Sequence, residues 1–178
     1  MPLALDRRIA DEITRLLCRR EVGNPQGVPS EQWKAAMNEM TMEFTHWQFK
    51  AKAKDKEARY WEQLGKLVAL KHQKVPLRCA DFAGAVVYLL TLNRNFESNI
   101  RLVRAGAARG NNHFFVVCHF DSSPTFNGAQ PTTWGGDAFV VDAWRGAQKG
   151  LGPAVRPPAE VHQDDLPVTP LCDWPARA

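Results

Sequence analysis

An α+β fold is what this sequence predicts: N-terminal helices, a central buried helix that carries a cysteine, and a small antiparallel sheet. Three observations predict it. Up to residue 92 the apolar residues recur at helical spacing. After Asn93 they come in short runs of strand length, Phe114-Phe115-Val116-Val117 and Phe139-Val140-Val141. The last stretch, residues 150–178, holds six of the twelve prolines and little apolar periodicity.

The elements come in this order. Asp6 to Arg20 reads as a helix, with Ile9, Ile13, Leu16 and Leu17 on one face. Gly23 to Pro29 breaks it. Ser30 is an N-cap candidate for a second helical run, and from there to Gln73 the chain is rich in good helix formers. One apolar stripe there is Trp33, Met37, Met40, Phe44 and Trp47; a second is Tyr60, Leu64, Leu67 and Val68. Two helices, or one bent near Lys50 to Asp55, account for them, and these aromatics and methionines are expected in the core. Pro76 ends or bends this run. Cys79 to Leu92 is nearly all apolar and reads as a helix buried on most sides. Strands are expected over Asn99–Val103, Asn112–Phe120 and Asp137–Trp144, the last two antiparallel. Ser122–Gly136, rich in Ser, Pro, Thr and Gly, reads as the loop between them, and residues 150–178 as an extended tail, either packed over the domain through Leu166, Leu171 and Trp174 or mobile. The expected organisation is a helical region (1–72), a core (73–149) and the tail (150–178) within one compact domain.

Composition narrows the function classes. A chain of 178 residues is one domain's worth and can bury about two thirds of its unfolded surface. Residues 1–78 carry 15 Lys and Arg against 10 Asp and Glu, and the remainder 8 against 9. So mild an imbalance reads as a solvated face, and no nucleic-acid-binding motif accompanies it. No apolar stretch approaches the roughly 20 residues of a membrane span. The first residues are charged too early for a cleaved secretory signal, so synthesis in a cytoplasm is expected. The four cysteines, Cys18, Cys79, Cys118 and Cys172, match no zinc spacing and are read as reduced thiols. Metal-ligand spacing, phosphate loop and dinucleotide fingerprint are all missing, so no cofactor and no metal are expected.

Chemistry concentrates on three residues. A thiol enzyme needs a nucleophilic sulfur, a base beside it and a group that orients the base. Cys79 opens the apolar helix, where the helix dipole and the first amide N–H groups favour negative charge. Its own N–H would face a developing oxyanion. Most free cysteines are small core residues, and Cys18 and Cys118 are read that way. His113 opens the second strand after the polar turn Arg109 to Asn112. His119 is the rival base at the far end of that strand. Asp142 ends an apolar strand, where a carboxylate needs a partner; with the two strands paired, it is placed to orient His113.

The blocks "RCADFAGAVVYLL", "NNHFFVV" and "DAFVVDAWRG", in this order, resemble the core of the papain-like thiol enzyme superfamily, over Gln73 to Gly146. The resemblance implies a Cys-His-Asp triad of Cys79, His113 and Asp142. It also implies an oxyanion donor at Gln73, six residues before the cysteine. The 34-residue spacing from Cys79 to His113, and an Asp as third member, are similar to the compact bacterial effectors and toxins rather than the two-lobed proteases. What this implies is a protein glutamine deamidase that proceeds through a thioester. A cysteine protease of the same fold, a peptidoglycan amidase and a transglutaminase share the first half-reaction. The substrate implied is a protein, at a glutamine side chain or a peptide bond. A cognate inhibitor or immunity protein and delivery into another cell by a secretion system are further implications. The reading from another class is a binding module without catalysis, docking through the basic helical half with Trp33 and Trp47.

Overall fold

The computed structural model describes residues 2–20, 35, 38, 56–71, 77–106, 113–121, 126–148 and 152–177. The first apolar stripe (Trp33 to Trp47), Ser30, Gln73, Pro76 and the turn before His113 lie outside the described residues.

Helix α1 spans Pro2–Leu17 and α2 spans Lys56–Lys66. The latter widens into a π turn at Leu67–Lys71. Helix α3 spans Cys79–Leu92. Strands β1 (Ile100–Ala105) and β2 (His113–Cys118) come next, then β3 (Phe139–Val141), the short helix α4 (Ala143–Ala147), β4 (Val155–Arg156) and β5 (Val168–Trp174). The strands form one antiparallel sheet in the order β4-β3-β2-β1-β5. The fold is therefore α+β.

Alternation along the strands explains both faces of the sheet. Leu102, Val116, Phe139 and Val141 point to the helices and join Ile9, Leu17, Leu64 and Val86 in one core. Val103, Phe115, Val117 and Val140 point the other way, into a second core closed by Phe120, Trp134 and Val161. Residues 126–136 of the expected loop thus cover the second face, through Phe126 and Trp134. Trp134 is fully buried there, donates from Nε1 to the Asn127 carbonyl at 2.8 Å and stacks on Phe126.

Two expectations change. The strand read over Asp137–Trp144 ends at Val141, because Asp142 caps α4 instead. Residues 150–178 are more than a tail: they supply both edge strands. Their prolines obscured this, yet the sites are tolerant ones. Pro170 lies on an edge strand, beside an irregularity in the β1–β5 register, and Pro158 opens a short helical turn. Arg101 to Asp173 (2.7 and 2.6 Å) and Trp174 Nε1 to Glu62 (2.7 Å) fasten β5 to β1 and α2.

The central helix is buried from Asp81 to Val87. It meets α2 at backbone contact, since a Cβ on Gly65 would overlap the Gly84 carbonyl oxygen. On an isolated helix a Gly to Ala change stabilises by about 1 kcal/mol. Here the sign reverses: Gly65→Ala should destabilise by about 1–3 kcal/mol through overpacking. Gly84→Ala, which meets the Leu64 side chain at 3.1 Å, should cost less. Urea unfolding of the two variants checks the order; a stabilised Gly65→Ala would contradict the close helix contact.

Candidate active site

The register of β2 and β3 creates the site. Val116 pairs with Val141 and Val117 with Val140. One step on, position 142 faces Phe115, and His113 is two residues along on the same face. Such diagonal neighbours are within reach of long side chains. His113 Nε2 and Asp142 Oδ2 are 2.9 Å apart. The carboxylate can only accept, so Nε2 carries the proton and donates.

That leaves Nδ1 for the Cys79 thiol, which interacts with the same ring. Nδ1 is buried, and the thiol acts on the ring both as a hydrogen-bond partner and through its charge. Cys79 reaches this point because α3, lying across the sheet, starts there. The start is fixed by Asp81, a buried carboxylate that accepts from the Arg78 backbone N–H (2.9 Å) and from its guanidinium (3.1 and 3.2 Å). The structure thus brings Cys79, His113 and Asp142 together. Gln73 lies outside the described residues, as do segments 72–76 and 107–112 that lead into Cys79 and His113.

Asp142 is 1 % exposed and strongly held. Oδ1 accepts the Arg145 backbone N–H at 3.0 Å, the N-cap bond of α4. Oδ2 accepts from Arg156 Nη2 at 3.0 Å as well as from His113. The Arg145 guanidinium is 3.7 Å away and donates to Asp165 at 2.6 Å. Burial alone would raise the carboxyl pKa; the bond and charge of His113, the Arg145 amide and the Arg156 charge outweigh it and hold it below the usual carboxylate range. Burial likewise opposes protonation of His113, yet the hydrogen bond to Asp142 and the nearby Cys79 raise its pKa to about 9. Trp144 and Phe115 both lie near the ring (centroids 4.9 and 5.7 Å away), so the pair is shielded from water by aromatic surface.

The other thiols and histidines are differently placed. Burial, with Asp142 adding to it, raises the pKa of Cys18, whose thiol donates to the Ala143 carbonyl at 3.4 Å. Cys118 is fully buried, which raises its pKa well above the ordinary value. His119, the rival base, is bonded through Nδ1 to Ser98 Oγ (3.0 Å) at the opposite end of β2. His162 sits on an exposed turn beside Asp164. A cavity of about 500 Å³ lined by Arg59, Glu62, Tyr88 and Leu92 adjoins the far end of α3 and is separate from the site.

Sequence reasoning singled out three residues that lie together in the fold and missed the groups around them. Asp142 three positions before Arg145 carried a readable N-cap signal, and Asp81 was an acid in the first turn of a helix. Arg156 had no such signal, since its place depends on a two-residue strand among prolines.

The pair has a pH signature. His113 has a folded-state pKa raised from 6.5 to about 9, so its contribution to stability is complete below about pH 6.5 and is lost as pH rises through about 9. The unfolding free-energy difference between wild type and His113→Phe should shrink over that window. A difference independent of pH would refute the ion pair. Among the described residues, no group of His, Cys, Asp and Glu is arranged to hold a metal ion, and no helix is long and apolar enough to cross a membrane. The chain matches no family model, and neither curated proteins nor solved structures give a match.

Proposed function

We propose that the protein is a cysteine-dependent amide hydrolase of compact papain-like type, and that it deamidates glutamine side chains of other proteins. The observation that carries the reading is one imidazole held between a buried carboxylate on Nε2 and a thiol at a helix start. The chain order of Cys-bearing helix, His-bearing strand and Asp at the end of the next strand supports it too.

The reactive form pairs a Cys79 thiolate with the His113 imidazolium. Sulfur attacks the side-chain amide carbon and forms a C–S bond, which puts negative charge on oxygen. N–H groups at the start of α3 and the helix dipole stabilise that oxyanion, with Gln73 as the expected side-chain donor. His113 gives its proton to the amide nitrogen, the C–N bond breaks and ammonia leaves. Water then attacks the thioester while His113 takes a proton, and a glutamate side chain is released from the regenerated thiol. Asp142 holds the ring orientation throughout and stays ionised. The same first half-reaction on a peptide bond would release an amine and a new chain terminus.

Two measurements test this. In the folded protein Cys79 should alkylate with iodoacetamide at least about ten-fold faster than Cys18, Cys118 or Cys172, as expected of a thiol paired with a base; similar rates for all four would favour the docking module. Incubation with a lysate, beside Cys79→Ala, should then give a gain of about one mass unit at particular glutamines by amide-to-acid conversion. New chain termini that depend on Cys79 would replace the deamidase with a protease. For the confirmed reaction, kcat/KM should fall as pH rises through about 9, where His113 loses the proton that the leaving nitrogen needs.

A further inference from the structure

Two charged residues of the last 30, Arg156 and Asp165, act around the Asp142 carboxylate together with Arg145. Arg156, on β4, is the more deeply placed: its side chain is 3 % exposed, and Nη2 donates to the oxygen of Asp142 that also receives His113. Asp165, from the short turn before β5, accepts from Arg145 Nη2 at 2.6 Å, and Arg145 lies 3.7 Å from that same oxygen. We propose that Arg156 and Asp165 are positioning residues that set the proton affinity of His113 from opposite sides: Arg156 by sharing the Asp142 carboxylate, Asp165 by drawing Arg145 away from it.

The geometry gives the sign of each effect. A carboxylate oxygen bonded to a guanidinium has less charge to spend on an imidazolium, and the guanidinium repels the imidazolium directly. Arg156 thus lowers the proton affinity that His113 would have beside an undivided Asp142. Asp165 works the other way. By neutralising Arg145 it keeps a second cation from weighing on the pair. Among the described residues, Cys79 from the start of α3 acts on His113 and Cys18 from α1 lies near Asp142, while Arg78 acts on Cys79 and Asp81. None of these reaches the Asp142 oxygens as a charged donor, so the C-terminal segment supplies the balance together with Arg145. Its chemical use rests on the reading of Cys79 and His113 as the reacting pair. A general acid held too tightly by its partner gives up its proton poorly, and a good one titrates near the working pH.

Stability alone does not predict opposite shifts, which is what makes the proposal testable without a substrate. The His113 ring is tracked by NMR in protein carrying labelled histidine, with His113→Phe to assign its signal. Arg156→Gln should raise the His113 pKa by on the order of one unit, Arg156→Lys should leave it near wild type, and Asp165→Asn should lower it. A folded Arg156→Gln protein with an unmoved or lowered value overturns the proposal. Arg156 is buried beside a carboxylate, so that variant is at risk of not folding; Asp165→Asn then decides, and an unmoved or raised value there overturns the proposal equally. Iodoacetamide rates at Cys79 in the same samples keep the two readings apart. Opposite shifts without preferential alkylation of Cys79 support the charge balance and remove the thiol enzyme. Preferential alkylation without the shifts does the reverse.

Discussion

An ionised carboxylate taken out of water has to be surrounded by donors, and Asp142 is that constraint in this fold. Its partners come from three separate elements: His113 from β2, the Arg145 amide from α4 and the Arg156 guanidinium from β4. Its own backbone N–H bonds the Ala154 carbonyl at 2.8 Å. One residue therefore ends a strand, caps a helix, fixes an edge strand and aims an imidazole. Removal of one partner of such a group typically costs about 3–5 kcal/mol because the charge stays behind. The segment from β2 to β4 is thereby obliged to fold together.

The second fixed element is α3. Its apolar surface leaves it no stable position other than between α1, α2 and the sheet, and the glycine contact with α2 sets how deeply it sits. Burial of this kind orients the helix but does not select which end carries chemistry. That selection comes from its first turn, where Asp81 ties the Arg78 backbone and guanidinium together and leaves Cys79 as the first helical residue. Among the described residues, the far end of α3 has no comparable cluster; its flank carries the open cavity near Leu92.

Much of this was legible in the sequence, for a reason that differs from element to element. The α3 boundaries were readable because a nearly all-apolar stretch from Cys79 to Leu92, between Pro76 and Asn93, admits few alternatives. Strand β2 was readable from four consecutive apolar residues, and His113 and Asp142 came with it because antiparallel pairing brings the start of one strand beside the end of the next. Strands β4 and β5 were illegible: β4 has two residues, and β5 contains Pro170, so neither shows a period. Their existence depends on neighbours that offer free edges. Arg156 was lost for the same reason, since no local pattern marks a buried arginine whose partner lies 14 residues back in the chain.

A cluster of buried charges is a weak source of stability, because desolvation offsets most of the attraction, and apolar side chains of similar volume often serve as well. The contrast between the two ends of β2 sharpens the point. At its far end His119 rests on Ser98, whose hydroxyl and amide both bond Asp6, and this is an economical way to fasten α1 to the sheet. At its near end His113 is bonded to a carboxylate that two arginines already attend, beside a thiol, under the aromatic cover of Trp144. Fastening β2 to β3 needs none of that, since their ladder already runs through Val116, Val117 and Cys118. What the extra charges do change is how firmly one ring nitrogen holds a proton, and a fold has use for that control where a proton has to move.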